Sequence, residues 1–199
     1  MTFPARIVLA TRNPHKVREI LRICGDWPVK WLTHDQVDWP EVEEIGSTYL
    51  DNAQLKARSV AGATGNPALA DDSGIEVDAL GGQPGPRSAR YAGEGASDEQ
   101  NLRALLRAVA GVPAPGRTAR YRAVAVLADP DGGEVHAEGA CEGLLRTKPA
   151  GEGGFGYDPA FEPAGWDRTM AQLPPAEKDR ISHRGQALRE LKRMLAGGP

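Results

Sequence analysis

A chain of 199 residues has room for one domain with a sizeable core, or for one domain pinched into two lobes. Hydrophobic residues make up 40% and charged residues 26%, the balance of a soluble enzyme, and a formal charge of −3 argues against a general binder of nucleic-acid polymers. It leaves room for a nucleotide, whose site needs only a few local cations.

Two cysteines, Cys24 and Cys141, are too few for a disulfide framework and lack metal-ligand spacing. No apolar run approaches membrane-spanning length, and Met1 to Arg6 lack the apolar core of a signal peptide. The expectation is a cytoplasmic protein with no membrane partner.

The run Arg6-Ile7-Val8-Leu9-Ala10 reads as a buried strand. Thr11 to Pro14 predict a helix start, with Asn13 as N-cap, Pro14 at the first helical position, and Val17, Ile20, Leu21 and Cys24 at helical spacing. A second helix begins near Thr48, with Asp51 as the acidic half of a capping box and Leu50, Ala53, Ala57 and Val60 as its apolar stripe. Ala68 to Ala70 form a strand that runs into Asp71-Asp72-Ser73-Gly74, followed by the alternating Ile75, Val77 and Ala79. A loop rich in glycine and proline spans Gly81 to Pro86. Ser97 and Gln100 make another capping box, opening a helix built on Leu102, Leu105, Leu106 and Val109. Tyr121 to Ala128 and Glu134 to Ala140 read as strands joined by a hairpin turn at Asp129 to Gly133. A last helix runs from about Ser182 to Leu195. The pattern predicts an α/β architecture, with any break between lobes near the glycine-rich segments.

Several segments carry chemistry. A helix start offers backbone N–H groups and a partial positive charge to phosphate, and here Arg12 and Lys16 add cations. The same residues also suit a solvated turn, and the segment is neither a Walker A loop nor a GxGxxG fingerprint. Adjacent residues of a regular strand point to opposite faces, so Asp71 and Asp72 do not both serve one site there. Near a strand end, one carboxylate can face a cleft while the other braces the turn, although a simple polar turn fits as well. A carboxylate in a cleft suits Mg²⁺, and Glu43-Glu44 offer a further oxygen ligand. Lys56 lies off the apolar stripe, facing either that cleft or water. In Gly153 to Pro159 the glycines permit close backbone approach. Phe155 and Tyr157 there either stack on a base or fill the core at a tight bend. Lys178 and Ser182-His183-Arg184 flank a helix start, where an anion or an electronegative base edge would make their charge favourable.

Together these segments resemble the inosine triphosphate pyrophosphatase family, the non-standard purine NTP pyrophosphatases. The resemblance rests on Ala10 to Lys16, Thr48 to Ala57, Ala70 to Gly82, Ser88 to Gly93, Gly153 to Pro159 and Ile181 to Leu188, in order along nearly the whole chain. It implies an elongated mixed-sheet α/β fold with two lobes flanking a nucleotide cleft, residues 1–199 as a single domain, and a homodimer. On that pattern Thr11, Arg12, Asn13, Pro14, His15 and Lys16 contact phosphates, with Lys56 nearby. Asp72 matches the catalytic acid/base and metal-associated position and Glu44 a ligand for Mg²⁺, with Mn²⁺ as the alternative ion. Ser73, Phe155, Gly156, Tyr157, Asp158, Lys178, His183 and Arg184 match substrate-binding positions, and selectivity would come from donors aimed at the purine 6-oxygen, for which Arg184 and His183 are the candidates. The implied reaction converts (d)ITP and XTP to the monophosphate and pyrophosphate. Departures are Arg12 and His15, where the family often has glycine, and Asp51 and Gln172, where glutamate is common. The competing readings are a Maf-like pyrophosphatase for modified pyrimidine nucleotides and a non-catalytic nucleotide-binding module.

Overall fold

The computed structural model describes residues 3–197. Its strands are β1 (Arg6–Leu9), β2 (Lys30–Leu32), β3 (Ala68–Val77), β4 (Thr118–Ala128), β5 (Glu134–Leu145) and β6 (Phe161–Pro163). The helices are α1 (Pro14–Ile23), α2 (Tyr49–Thr64), α3 (Asp98–Ala108), α4 (Pro175–Ile181) and α5 (His183–Leu195). The strands form one mixed sheet in the order β2-β1-β3-β4-β5-β6, with β1 parallel to both neighbours and β5 antiparallel to β6. Among the described residues no helix is long and apolar enough to cross a membrane.

The chain divides into two units. The first comprises residues up to Asp72, Ala123–Gly139 and the chain from Arg184 onward; the second comprises Ser73–Arg122 and Ala140–His183. In the first unit the two-residue period of β1 sorts its side chains between two cores. Ile7 and Leu9 pack with Ile20, Leu69, Leu188 and Leu191, whereas Val8 and Ala10 pack with Ala53, Ala57, Val60 and Val126. Each fully buried aliphatic chain contributes roughly 1.5–3 kcal/mol. The second unit is built on Ile75, Val77, Leu105, Tyr121, Phe161 and Met170.

The predicted caps are present. Asn13 Oδ1 accepts from the backbone N–H of His15 at 2.9 Å and of Lys16 at 3.3 Å. Thr48 and Asp51 exchange bonds of 3.1 Å each, and Ser97 and Gln100 bonds of 3.3 and 2.8 Å.

Two expectations need correction. Asp71 to Gly74 are not a turn at a strand end but the middle of β3, because pairing in the sheet and ion pairs on both faces outweigh the poor strand propensity of Asp and Gly. The boundaries between the units fall within β3, β4 and β5 and at the His183–Arg184 junction, not in glycine-rich segments. The last helix, expected from about Ser182 to Leu195, is present as His183–Leu195, with Ser182 extended as the C-cap of the separate helix α4.

Candidate active site

The mid-strand position of Asp71 and Asp72 sends two buried carboxylates to opposite faces of β3. Both groups of contacts lie within the first unit. Asp71 Oδ2 accepts from Arg184 Nε at 3.0 Å and Nη2 at 2.9 Å, while Nη1 of the same guanidinium donates to Glu19. Lys16 Nζ stands 3.3 Å from Asp71 Oδ1. Asp72 Oδ1 accepts from Lys56 Nζ at 3.1 Å and Oδ2 from Asn52 Nδ2 at 3.3 Å. Lys56 also donates to Glu44 Oε1 at 2.9 Å, so one ammonium bridges both carboxylates expected to bind metal.

The two faces meet at one atom. The main-chain oxygen of Asp71 accepts from Lys16 Nζ at 3.3 Å and from Lys56 Nζ at 3.0 Å. Two ammonium groups on one carbonyl repel each other, and such a pair favours an anion. Burial lowers the Lys16 pKa, with Lys56 and Arg184 adding to the effect against the opposing pull of Asp71. Burial acts in the same sense on Lys56, but Asp72, Glu44 and Asp71 outweigh it and leave its pKa raised. Burial would raise Asp71, yet Arg184, Lys16 and Lys56 hold it well below the usual carboxylate range. Burial lifts Asp72, and its cationic neighbours only partly oppose the rise.

The donor set suits a hard divalent ion. Among the described residues no cluster of three or more His, Cys, Asp or Glu side chains forms a dedicated cage. Mg²⁺ is ordinarily held by one or two carboxylates, with water and substrate phosphates completing the shell. Asp72 and Glu44, already sharing a cation, fit that pattern. In the ion pairs among the described residues, the carboxylates of Glu19, Glu44, Asp71 and Asp72 meet the cations Lys16, Lys56 and Arg184, and a divalent ion would add to the positive side.

At the start of α1 the amides of His15 and Lys16 are capped by Asn13, and the amide of Asn13 donates to Thr11 Oγ1 at 3.2 Å. Pro14 is exposed at the first helical position. Arg12 donates to the main-chain oxygen of Trp39, with its guanidinium 5.8 Å from the Trp39 ring centroid and 3.5 Å from Asp38. His15 Nδ1 accepts from Arg18 at 2.9 Å. Of this segment, Lys16 is the residue brought to the carboxylate pair.

The second unit holds the remaining expected residues. Asp158 is buried at the centre of a polar cluster: Oδ2 accepts from Phe155 N at 2.9 Å and Lys178 Nζ at 2.5 Å, and Oδ1 accepts from the Tyr121 hydroxyl at 3.1 Å. Gly154 has φ +70°, and a Cβ there would fall 2.0 Å from Asp158 Oδ2. The Lys178 ammonium lies 5.2 Å from the centroid of the half-buried Phe155 ring. Gly156 N donates to Asp98 at 2.9 Å. Tyr157 is buried in the core and its hydroxyl donates to Ser88 O at 2.7 Å, so Phe155 is the ring that the loop leaves partly accessible. Ser73 is half-buried, and His183 is buried with its ring stacked on Tyr121.

Sequence reasoning assigned no role to Asn52, Glu19 or Tyr121. Asn52 carried a signal: it lies four residues before Lys56 and so shares its helix face. Its Oδ1 accepts from Gly46 N at 2.8 Å while its amide holds Asp72, tying the segment that bears Glu44 to the strand. Glu19 and Arg184 are 165 residues apart, and no local pattern announces their pairing. Arg184, expected at the base, has its guanidinium engaged by Asp71 and Glu19 and is 2% exposed.

The model of the Ham1 family matches residues 7–194. The chain is 50% identical over 195 residues to the dITP/XTP pyrophosphatase of Thioalkalivibrio sulfidiphilus, covering 96% of this chain and 99% of that one. It is 48% identical over 192 residues to the protein of the same name from Streptomyces avermitilis, covering 94% of each. Among solved structures it is similar to a HAM1 protein from Coxiella burnetii, with TM-score 0.88, 39% identity, and coverage of 98% of this chain and 100% of that one. A nucleoside-triphosphatase / dITP/XTP pyrophosphatase from Mycobacterium abscessus superposes with TM-score 0.75 at 42% identity, covering 94% of this chain and 98% of that one.

Proposed function

This chain belongs to the Ham1 family, and from that premise we propose that it hydrolyses dITP, ITP and XTP to the nucleoside monophosphate and pyrophosphate. The observation that carries the reading is the pair of ammonium groups held on one main-chain oxygen beside Asp72. That arrangement matches a polyanion that must be cleaved and then released as a charged fragment. The names of the relatives point to the same reaction.

Asp72 is the proton acceptor, its carboxylate oriented by Lys56 and Asn52. The oxygen of a water molecule forms a bond to the α-phosphorus, the water proton passes to Asp72, and the bond from the α-phosphorus to the bridging oxygen breaks. Lys16 and Lys56 neutralise the departing pyrophosphate. Asp72 and Glu44 would hold a divalent cation, Mg²⁺ with Mn²⁺ as the alternative, which would supply charge neutralisation at the phosphates. Asn52 fixes the Asp72 carboxylate, and Arg184 braces Asp71. Thr11 to His15 flank the phosphates as the start of α1.

Phe155, Gly156, Asp158, Lys178 and His183 serve the base, with Ser73 and Tyr157 supporting them. A donor meeting the purine 6-oxygen accepts hypoxanthine and xanthine and opposes the amino group of adenine. Both units act as one domain, 1–199, in a cytoplasmic homodimer with no membrane or nucleic-acid partner.

The test is pyrophosphate release from ITP, XTP, dATP, dGTP and dTTP, with Mg²⁺ and with EDTA, for wild type and Asp72→Asn. Metal-dependent turnover of ITP and XTP that falls at least ~100-fold in Asp72→Asn is the expected result. Turnover of dTTP instead would move the assignment to pyrimidines, and tight ITP binding without turnover would make this a binding module.

A further inference from the structure

Tyr121 is the first residue of a predicted strand, and nothing in the proposed chemistry calls for it. Yet its side chain, buried in the second unit, joins two groups assigned to the base. Its ring stacks on the His183 imidazole with centroids 4.6 Å apart and an interplanar angle of 9°. Its hydroxyl donates to Asp158 Oδ1 at 3.1 Å, the carboxylate whose other oxygen accepts from Lys178 and from the Phe155 amide. Phe161 meets the same ring edge-on, at 4.7 Å and 61°, which limits its reorientation.

We propose that Tyr121 is a positioning residue for base recognition, fixing His183 through its ring and the Asp158–Lys178 pair through its hydroxyl. The inference rests on the function proposed above. A flat contact at 9° sets the plane of the imidazole, and so the direction in which its N–H points. A buried hydroxyl on a carboxylate that also holds a lysine leaves that carboxylate one orientation. The hydrolytic groups belong to the first unit and Tyr121 to the second. Its loss therefore acts on base affinity and selectivity and not on the chemical step.

The experiment measures kcat and KM for ITP and GTP in wild type, Tyr121→Phe, Tyr121→Leu, His183→Ala and the Tyr121→Leu/His183→Ala double variant. Tyr121→Leu is expected to raise KM for ITP about tenfold with kcat within about twofold, and to lower the preference for ITP over GTP. In the His183→Ala background the same change adds only about threefold, the share of the hydroxyl bond to Asp158, because the imidazole that the ring orients is gone. Tyr121→Phe keeps the buried volume and the stack, and raises KM about threefold through the lost hydroxyl bond. It carries the test if Tyr121→Leu does not fold.

An unchanged KM in Tyr121→Phe, a parallel fall in kcat for both nucleotides, or losses that multiply in the double variant would overturn the proposal. Wild type that does not hydrolyse ITP at all removes the functional reading and this inference with it. Active wild type with unresponsive variants removes only the inference.

Discussion

Replacing Arg184 with methionine tests whether the guanidinium holds the carboxylates of the first unit in place. Its Nε and Nη2 serve Asp71, its Nη1 serves Glu19, and the side chain is 2% exposed. Methionine fills similar volume without charge, so the change takes the guanidinium away from two buried carboxylates and opens no large cavity. Breaking a buried ion pair by removing one partner costs about 3–5 kcal/mol. Lys16 and Lys56 still face Asp71, which places the expected loss near the lower end, about 3 kcal/mol. For a chain of this size that lowers Tm by about 6–12 °C. In wild type the Asp71 pKa is depressed, so its stabilising contribution is complete above the unfolded value of about 3.9 and is lost as pH falls toward the folded value. The stability gap between wild type and Arg184→Met therefore narrows on acidification.

Thermal unfolding of both proteins with and without Glu19→Gln, at neutral and acidic pH, checks the reasoning. Glu19→Gln alone should destabilise, and in the Arg184→Met background it should cost less, because its bond to the guanidinium is already gone. A Tm loss below about 3 °C, or a Glu19→Gln effect of the same sign and size in both backgrounds, would refute it.

Two further outcomes follow from the site. Burial lowers the Lys16 pKa, so kcat/KM should fall with rising pH before an ordinary lysine at about 10.4 would lose its proton. Lys16→Arg, which keeps its charge, should push that alkaline limb upward, and an unmoved limb would assign it to another group. Gly154→Ala sets a Cβ 2.0 Å from Asp158 Oδ2 at φ +70°, so KM for ITP should rise at least ~tenfold with the first-unit chemistry intact. Steady-state kinetics at wild-type KM would contradict that geometry.

What was legible in the sequence was local. Asn13, the Thr48–Asp51 box and the Ser97–Gln100 box were readable because a cap is a contact across three residues. β2 and β6, three residues each, and the seven-residue α4 escaped notice, since segments that short are defined by remote partners and not by their own periodicity. Asp71 to Gly74 looked like a turn because Asp and Gly are poor strand formers. Lys16, Lys56 and Arg184, which override that preference, lie 55, 15 and 113 residues from Asp71. Lys16, Lys56, Asp72 and Glu44 were recognisable as residue types, but which carboxylate would take which cation was not. The resemblance named Arg184 without its partner Glu19, because a motif records identity and not contact.

The acceptor that gathers Lys16 and Lys56 is a main-chain oxygen. Every residue type presents that oxygen, so substitution at position 71 can alter the charge of the neighbourhood without deleting the anchor. Inheritance therefore treats the two halves of residue 71 differently. The carboxylate is exposed to drift one codon at a time, while the carbonyl is lost only if β3 itself is displaced. A change of residue at position 71 would cost Lys16 its ion pair with the carboxylate and still leave the carbonyl as the acceptor that both lysines share.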